Sequence, residues 1–169
     1  MQTILIASDH AGFELKQELL PFLRDLSYEV KDFGPYEFAA EDDYPDFIVP
    51  LAREISESGG MKTGIVIGGS GQGEAIVANR FRHVRAMVFN GQYQSDDKKE
   101  IRPAPLEVKT AREHNDANVL SLGARFISEA DAKEAVKIFL TTPFSEDERH
   151  IRRLKKIDAA EKIDAVDPR

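Results

Sequence analysis

The chain has no cysteine among its 169 residues. Disulfides, thiolate metal sites and a thiol acting as nucleophile or base are excluded from the outset. It also lacks an excess of positive charge: 23 Lys and Arg stand against 30 Asp and Glu, a formal net charge of −7. Nucleic-acid binders usually carry a basic surface, so that class loses ground. No apolar run approaches the roughly 18 residues of a membrane span. The opening MQTILIASDH has no basic segment leading into a long apolar stretch and a cleavage site. The expectation is a cytoplasmic protein with neither a membrane nor a nucleic-acid partner. What is present is 41% hydrophobic residues, enough to build one domain across residues 1–169. No internal repeat or long low-complexity segment interrupts it.

Short β-branched runs alternate with helical spacings. TILIAS reads as a first strand, YEVKDF as a second, TGIVIG as a third, VRAMVF as a fourth and ANVLSLG as a fifth. Between the first two, Leu15, Leu19, Phe22, Leu23 and Leu26 fall at helical spacing, with Pro21 expected to kink or restart the helix. GPYEFAAEDDYPD reads as a loop and FIVPLAREISES as a helix. GEAIVANRF and LEVKTAREHN are helical, and a last helix starts near SEDERHIRRLKKI. Ser128 followed by Asp131 marks a capping box at the start of SEADAKEAVKIFL. Five alternations of strand and helix predict an α/β fold with a five-stranded parallel sheet. Right-handed crossovers place helices on both of its faces, an α/β/α sandwich. Ligands in such sheets sit at the carboxyl ends of the strands.

The segment GIVIGGSGQGEAIVANR, Gly64 to Arg80, has the strand–glycines–helix layout of a phosphate loop. A Walker A loop needs Lys and Ser/Thr after its last glycine. Glu74 and Ala75 stand there, and a carboxylate would repel a polyphosphate. A dinucleotide fingerprint fits poorly as well, because Glu74 occupies its third glycine position and no acid lies near position 90. The backbone N–H groups of Gly69, Ser70, Gly71, Gln72 and Gly73 still form a nest for negative charge at a helix start. That charge can be an enolate present only in the transition state. Glu74 beside it then suits a base, although an acid at a helix start is also favoured by the helix dipole alone. Asp9 and His10 follow the first strand, and Arg125 follows the fifth. His114 and Asn115 lie just ahead of the fifth strand. Asp9 can equally cap the first helix. Arg149 and Arg153 share one helix face, either as a phosphate fork or as a solvated basic stripe.

Five segments in order, ASDHAGFELK, DDYPDF, GIVIGGSGQGEAIVANR, AREHNDANVLSLGAR and RHIRR, make the chain resemble the ribose-5-phosphate isomerase B family. That family includes the galactose-6-phosphate isomerase subunits. The resemblance covers about residues 3 to 155. It implies a Rossmann-like α/β/α fold and metal-independent interconversion of aldose and ketose sugar phosphates, with no cofactor. Many members carry a cysteine base at the end of the third strand, where this chain has Gly68. It resembles instead the subclass with a glutamate after the glycine loop.

The roles implied by that resemblance follow residue by residue. Glu74 moves the proton between C1 and C2 through a cis-enediolate. The backbone of Gly69 to Gly73 and the Ser70 hydroxyl stabilise the enediolate. His114 is the acid for ring opening. Asp9, His10 and Asn115 bind substrate oxygens, Tyr44 lines the pocket, and Arg125, Arg149 and Arg153 hold the phosphate. The site draws on two subunits, so a homodimer is the minimal unit, with a tetramer as the further option. The helix from about residue 145 packs on or reaches the neighbouring subunit. Ribose 5-phosphate to ribulose 5-phosphate is the first substrate reading. A tetrose phosphate, a hexose phosphate such as galactose 6-phosphate, a partner-dependent subunit and a non-catalytic sugar-phosphate-binding module are the others. The main departure from the family is residues 91–105, an insertion ahead of His114.

Overall fold

The computed structural model describes residues 2–91 and 106–164. Of the 91–105 segment, all but Gly91 lies outside the described residues. The elements follow the expected alternation. They are β1 (Thr3–Ser8), a 3-10 turn (His10–Gly12), α1 (Phe13–Asp25), β2 (Glu29–Asp32), α2 (Tyr44–Glu57) and β3 (Thr63–Gly68). There follow α3 (Gln72–Ala78), β4 (Ala86–Phe89), α4 (Leu106–Asn115), β5 (Val119–Gly123), α5 (Glu129–Thr141) and α6 (Glu148–Asp164). The strands form one five-stranded sheet in the order β2-β1-β3-β5-β4, and every pairing is parallel.

The central strands are buried almost end to end. This explains why they read as unbroken apolar runs rather than alternating ones: both faces are covered. Successive residues still point to opposite sides. Ile4, Ile6, Ile65, Ile67, Leu120 and Leu122 join Leu19, Leu23, Val136 and Phe139 of α1 and α5 in one apolar layer. Leu5, Ala7, Val66 and Val119 join Leu51, Ile55 and Ala78 of α2 and α3 in the other. The edge strand β2 has only partly buried and exposed residues in alternation. Among the described residues, no helix is long and apolar enough to cross a membrane.

Two local expectations are corrected. Helix α1 continues through Pro21, so of the two expected outcomes the helix does not restart there. Pro21 and Gln17, whose carbonyl loses its amide partner, both lie on the exposed face, where water satisfies the freed group. Helix α2 starts at Tyr44 rather than Phe47, with Asp43 at its N-cap and Pro45 in the first turn. Proline is pre-organised for that position because its missing N–H has no helical partner there in any case. The capping box of α5 is present, Ser128 Oγ accepting from the Asp131 N–H at 3.1 Å and Asp131 Oδ2 from the Ser128 N–H at 3.2 Å.

Candidate active site

Strands β1, β3 and β5 are neighbours at the centre of the sheet, so the loops leaving their carboxyl ends meet. After β1, the Asp9 N–H donates to the Ile67 carbonyl at 3.2 Å, and the Asp9 carboxylate accepts from the Gly12 N–H at 3.0 Å. A side chain at Gly12 would stand 2.4 Å from the Ile67 carbonyl oxygen. Only glycine permits this approach of the α1 start to β3. Asp9 is therefore a cap, the simpler of its two readings, and it also lines the cleft, only 6% exposed.

The glycine loop after β3 is fastened to the chain after β5. Gly68 and Gly69 carbonyls accept from the Ala124 and Arg125 N–H groups at 2.8 and 3.1 Å. Gly71, at φ 76°, makes the left-handed turn into α3, and its carbonyl accepts from Ser121 Oγ at 2.6 Å. The pairing draws Arg125 over Gly69, where an added Cβ would lie 3.1 Å from the guanidinium carbon. Among the described residues this guanidinium has no acidic partner. Tyr44, on the first turn of α2, packs against Gly73 in the same way, 2.9 Å from where a Cβ would stand.

Glu74 is the centre of the arrangement. It is 3% exposed, and its carboxyl lies directly over Gly68: a Cβ there would be 1.8 Å from Oε1. Burial pushes its pKa above the ordinary carboxylate value; its own backbone N–H works against this and the Asp9 charge adds to it. A carboxylate with raised proton affinity beside the glycine loop is suited to taking a proton from carbon.

Asp9, His10, Tyr44, Gly69, Ser70, Gly73, Glu74 and Arg125 thus line one cleft of about 320 Å³, with Ala11 and Phe126 beside them. Gly71 and Gln72 shape the turn without lining the cleft, and the Gln72 N–H donates to Ser70 Oγ at 3.3 Å. His10 brings a partner that sequence reasoning misses: Asp42 Oδ1 lies 2.7 Å from His10 Nδ1 and accepts from the His10 N–H at 2.9 Å.

The other expected residues gather elsewhere. Helix α4 runs back along the sheet, so His114 and Asn115 at its end lie near the amino ends of β4 and β5. Five strand residues at ~3.3 Å each separate the two ends by roughly 16 Å. His114 stacks on His150 of α6, ring centroids 4.2 Å apart. His150 is 1% exposed; burial first, then His114 and the arginines at 149 and 153, push its pKa down. Ser145 Oγ holds its Nδ1 at 2.9 Å. Asn115 lines a second cavity, of about 530 Å³, with Arg85, Met87, Leu154 and Ile157. The turn after it is locked by Asp116, at φ 44°, whose carboxylate takes Arg85 at 2.8 Å and Arg112 at 3.0 Å. Arg149 is exposed and only loosely paired with Asp147, at 3.5 Å. Within one chain the expected residues form two clusters rather than one.

Comparison with known proteins gives a consistent picture. A family profile described as Ribose/Galactose Isomerase matches residues 4–157. The ribose-5-phosphate isomerase B of Mycobacterium tuberculosis (strain H37Rv) is 35% identical over 167 residues, 98% of this chain and 93% of that protein. The crystal structure of ribose-5-phosphate isomerase B from Mycoplasma genitalium with bound ribulose-5-phosphate superposes with a TM-score of 0.83 at 34% identity, covering 95% of this chain and 96% of that one. The ribose-5-phosphate isomerase B of Clostridium thermocellum gives 0.81 at 38% identity, covering 95% and 98%.

Proposed function

The chain belongs to the ribose/galactose isomerase family, and from that membership we propose that it interconverts ribose 5-phosphate and ribulose 5-phosphate without a metal, with Glu74 as the base. Glu74 takes the proton from C2 of the aldose and returns it to C1 through a cis-enediolate. The N–H groups of the glycine loop that line the cleft, at Gly69, Ser70 and Gly73, and the Ser70 hydroxyl bear the charge that develops on the enediolate oxygens. Arg125 binds the phosphate from the cleft side. The observation that supports this reading most is the Glu74 carboxyl itself, buried in the cleft with its proton affinity raised. A module that only bound sugar phosphates would gain nothing from a carboxylate facing an anion nest. The purified chain should turn over ribose 5-phosphate in a panel of tetrose, pentose and hexose phosphates, with solvent deuterium entering C1 of the ketose, or C2 of the aldose in the reverse direction. No turnover of any member refutes the reading. Preference for a hexose phosphate replaces the substrate and keeps the mechanism.

The second cluster supports a site shared between two copies of the chain. His114, as ring-opening acid, Asn115, Arg149 and Arg153 reach the cleft of a partner in a homodimer, because a single chain holds them at the opposite end of its sheet. This yields a complementation test. Glu74→Gln and His114→Asn should each be inactive alone. Mixed and allowed to exchange subunits, they should recover about a quarter of wild-type activity, since half the dimers carry one intact site of two. Absence of recovery after verified exchange places all the catalytic groups within one chain.

A further inference from the structure

We propose that Asp42 is a positioning residue that fixes the ring orientation and tautomer of His10, so that His10 presents Nε2 to a sugar oxygen in the cleft. The substrate in this statement rests on the isomerase reading; the Asp42–His10 pairing does not.

One oxygen of Asp42 does two things. Oδ1 accepts from the main-chain N–H of His10 at 2.9 Å and meets its Nδ1 at 2.7 Å. The first contact fixes where the residue sits and the second fixes how its ring is turned. An ionised carboxylate only accepts, so Nδ1 carries the hydrogen and Nε2 is the nitrogen left for a ligand. The ring lines the cleft, with its side chain 31% exposed, while the Asp42 side chain is 9% exposed. Water reaches the imidazole and hardly reaches the group that aims it.

The second oxygen of Asp42 is the more telling feature. Oδ2 is buried and, among the described residues, has no hydrogen-bond partner. A carboxylate kept for the sake of the fold has its oxygens satisfied, and a buried orphan calls for another explanation. Among the described residues, the polar group that the Asp42 side chain serves is His10. The loop that carries Asp42 is itself anchored. Lys16 is fully buried, with Nζ 2.8 and 3.1 Å from the Asp32 oxygens and 2.6 Å from the Pro35 carbonyl. The Ser8 N–H holds the Gly34 carbonyl at 3.0 Å. Helix α1, which begins just after the His10 turn, thus secures the loop that orients His10.

The charges around the ring favour imidazolium. The Asp42 hydrogen bond is the largest influence raising the His10 pKa; partial burial opposes it, and the Asp9 and Asp42 charges add to it. The other charged or titratable groups lining the cleft are Glu74 from α3, Tyr44 from α2 and Arg125 beyond β5; of these Arg125 acts in the opposite sense. A cationic donor forms a hydrogen bond about twice as strong as a neutral one. The gain is largest where the sugar oxygen turns into an enediolate oxygen.

The test is side-chain ¹H–¹⁵N NMR on the full chain, where only four histidines need assignment and His10→Gln identifies the signal. Wild-type His10 should be the Nδ1–H tautomer when neutral and titrate above 6.5, the ordinary value. In Asp42→Asn the amide oxygen still accepts both bonds, and the titration should fall to 6.5 or below. The alkaline limb of kcat/KM, where the imidazolium is lost, should move down with it, and kcat/KM should drop about 10- to 100-fold, the range seen for partners that orient metal-bound histidines. An Nε2–H tautomer in wild type, or a titration unmoved by Asp42→Asn, overturns the proposal. The wild-type tautomer alone decides it if the variant does not fold. If wild type turns over no sugar phosphate while His10 still shifts with Asp42→Asn, it is the isomerase reading that has failed.

Discussion

Glu74→Gln should lower kcat about 10²- to 10⁴-fold, the usual contribution of a positioned general base, and leave ribose 5-phosphate binding in place. The amide keeps the shape of the side chain and its place over Gly68 but cannot take a proton from carbon. The same substitution should raise thermal stability at neutral pH. The folded pKa of Glu74 lies above the ordinary 4.5, so the buried group is at its most favourable when protonated, below that value. That contribution is lost as pH rises through the raised folded value, and above it the charge is a standing cost. The amide of the variant carries no charge, so the difference in Tm between variant and wild type should be largest near neutrality and vanish in acid. Steady-state kinetics, isothermal binding and thermal melts at two pH values check all three parts. Near wild-type turnover in Glu74→Gln would falsify the mechanism.

Gly68→Ala should be almost as damaging to kcat, although it removes no functional group. The added methyl would stand 1.8 Å from Glu74 Oε1 and 2.2 Å from its carboxyl carbon, far inside any real contact. The carboxyl must move by more than an ångström to make room, and a displacement of that size costs about 10²-fold in rate. One volume at the end of β3 holds either a side chain at position 68 or the carboxyl of residue 74. This accounts for the glycine at position 68. Circular dichroism should report an unchanged fold alongside the fall in kcat. A Gly68→Ala enzyme with undiminished kcat shows that the carboxyl seated over Gly68 is not the working base.

The parts of the molecule that can be read from sequence are those governed by short-range rules. TILIAS, TGIVIG and ANVLSLG announce buried parallel strands because burial on both faces removes any polar alternation. The glycine loop announces a tight turn into a helix, and Gly71, at φ 76°, makes it. Tyr44 reads as a pocket residue through the family resemblance, while the helix start it marks does not, since Tyr-Pro looks like a loop until the N-cap geometry is seen. Asp42 escapes notice because its tie to His10 spans 32 residues and leaves no periodic mark. Lys16 does give a usable sign: three and seven residues before Leu19 and Leu23, it falls on the buried stripe of α1, where a charge requires a partner. The separation of His114 from Glu74 depends on the direction in which α4 runs, which the spacing of AREHN does not record.

The cleft is assembled largely by backbone groups: the Asp9 N–H on the Ile67 carbonyl, the Ala124 and Arg125 N–H groups on Gly68 and Gly69, and Gly12 pressed against Ile67. Backbone atoms do not change when residues are exchanged. The spacing between Asp9, the glycine loop and Arg125 is therefore insulated from drift in the apolar layers above and below the sheet. Isoleucine can become valine or leucine there, at a cost in stability, with little effect on the geometry of the reacting groups. Selection on the chemistry then bears on a few glycines and polar side chains, and the rest of the chain is left free to diverge.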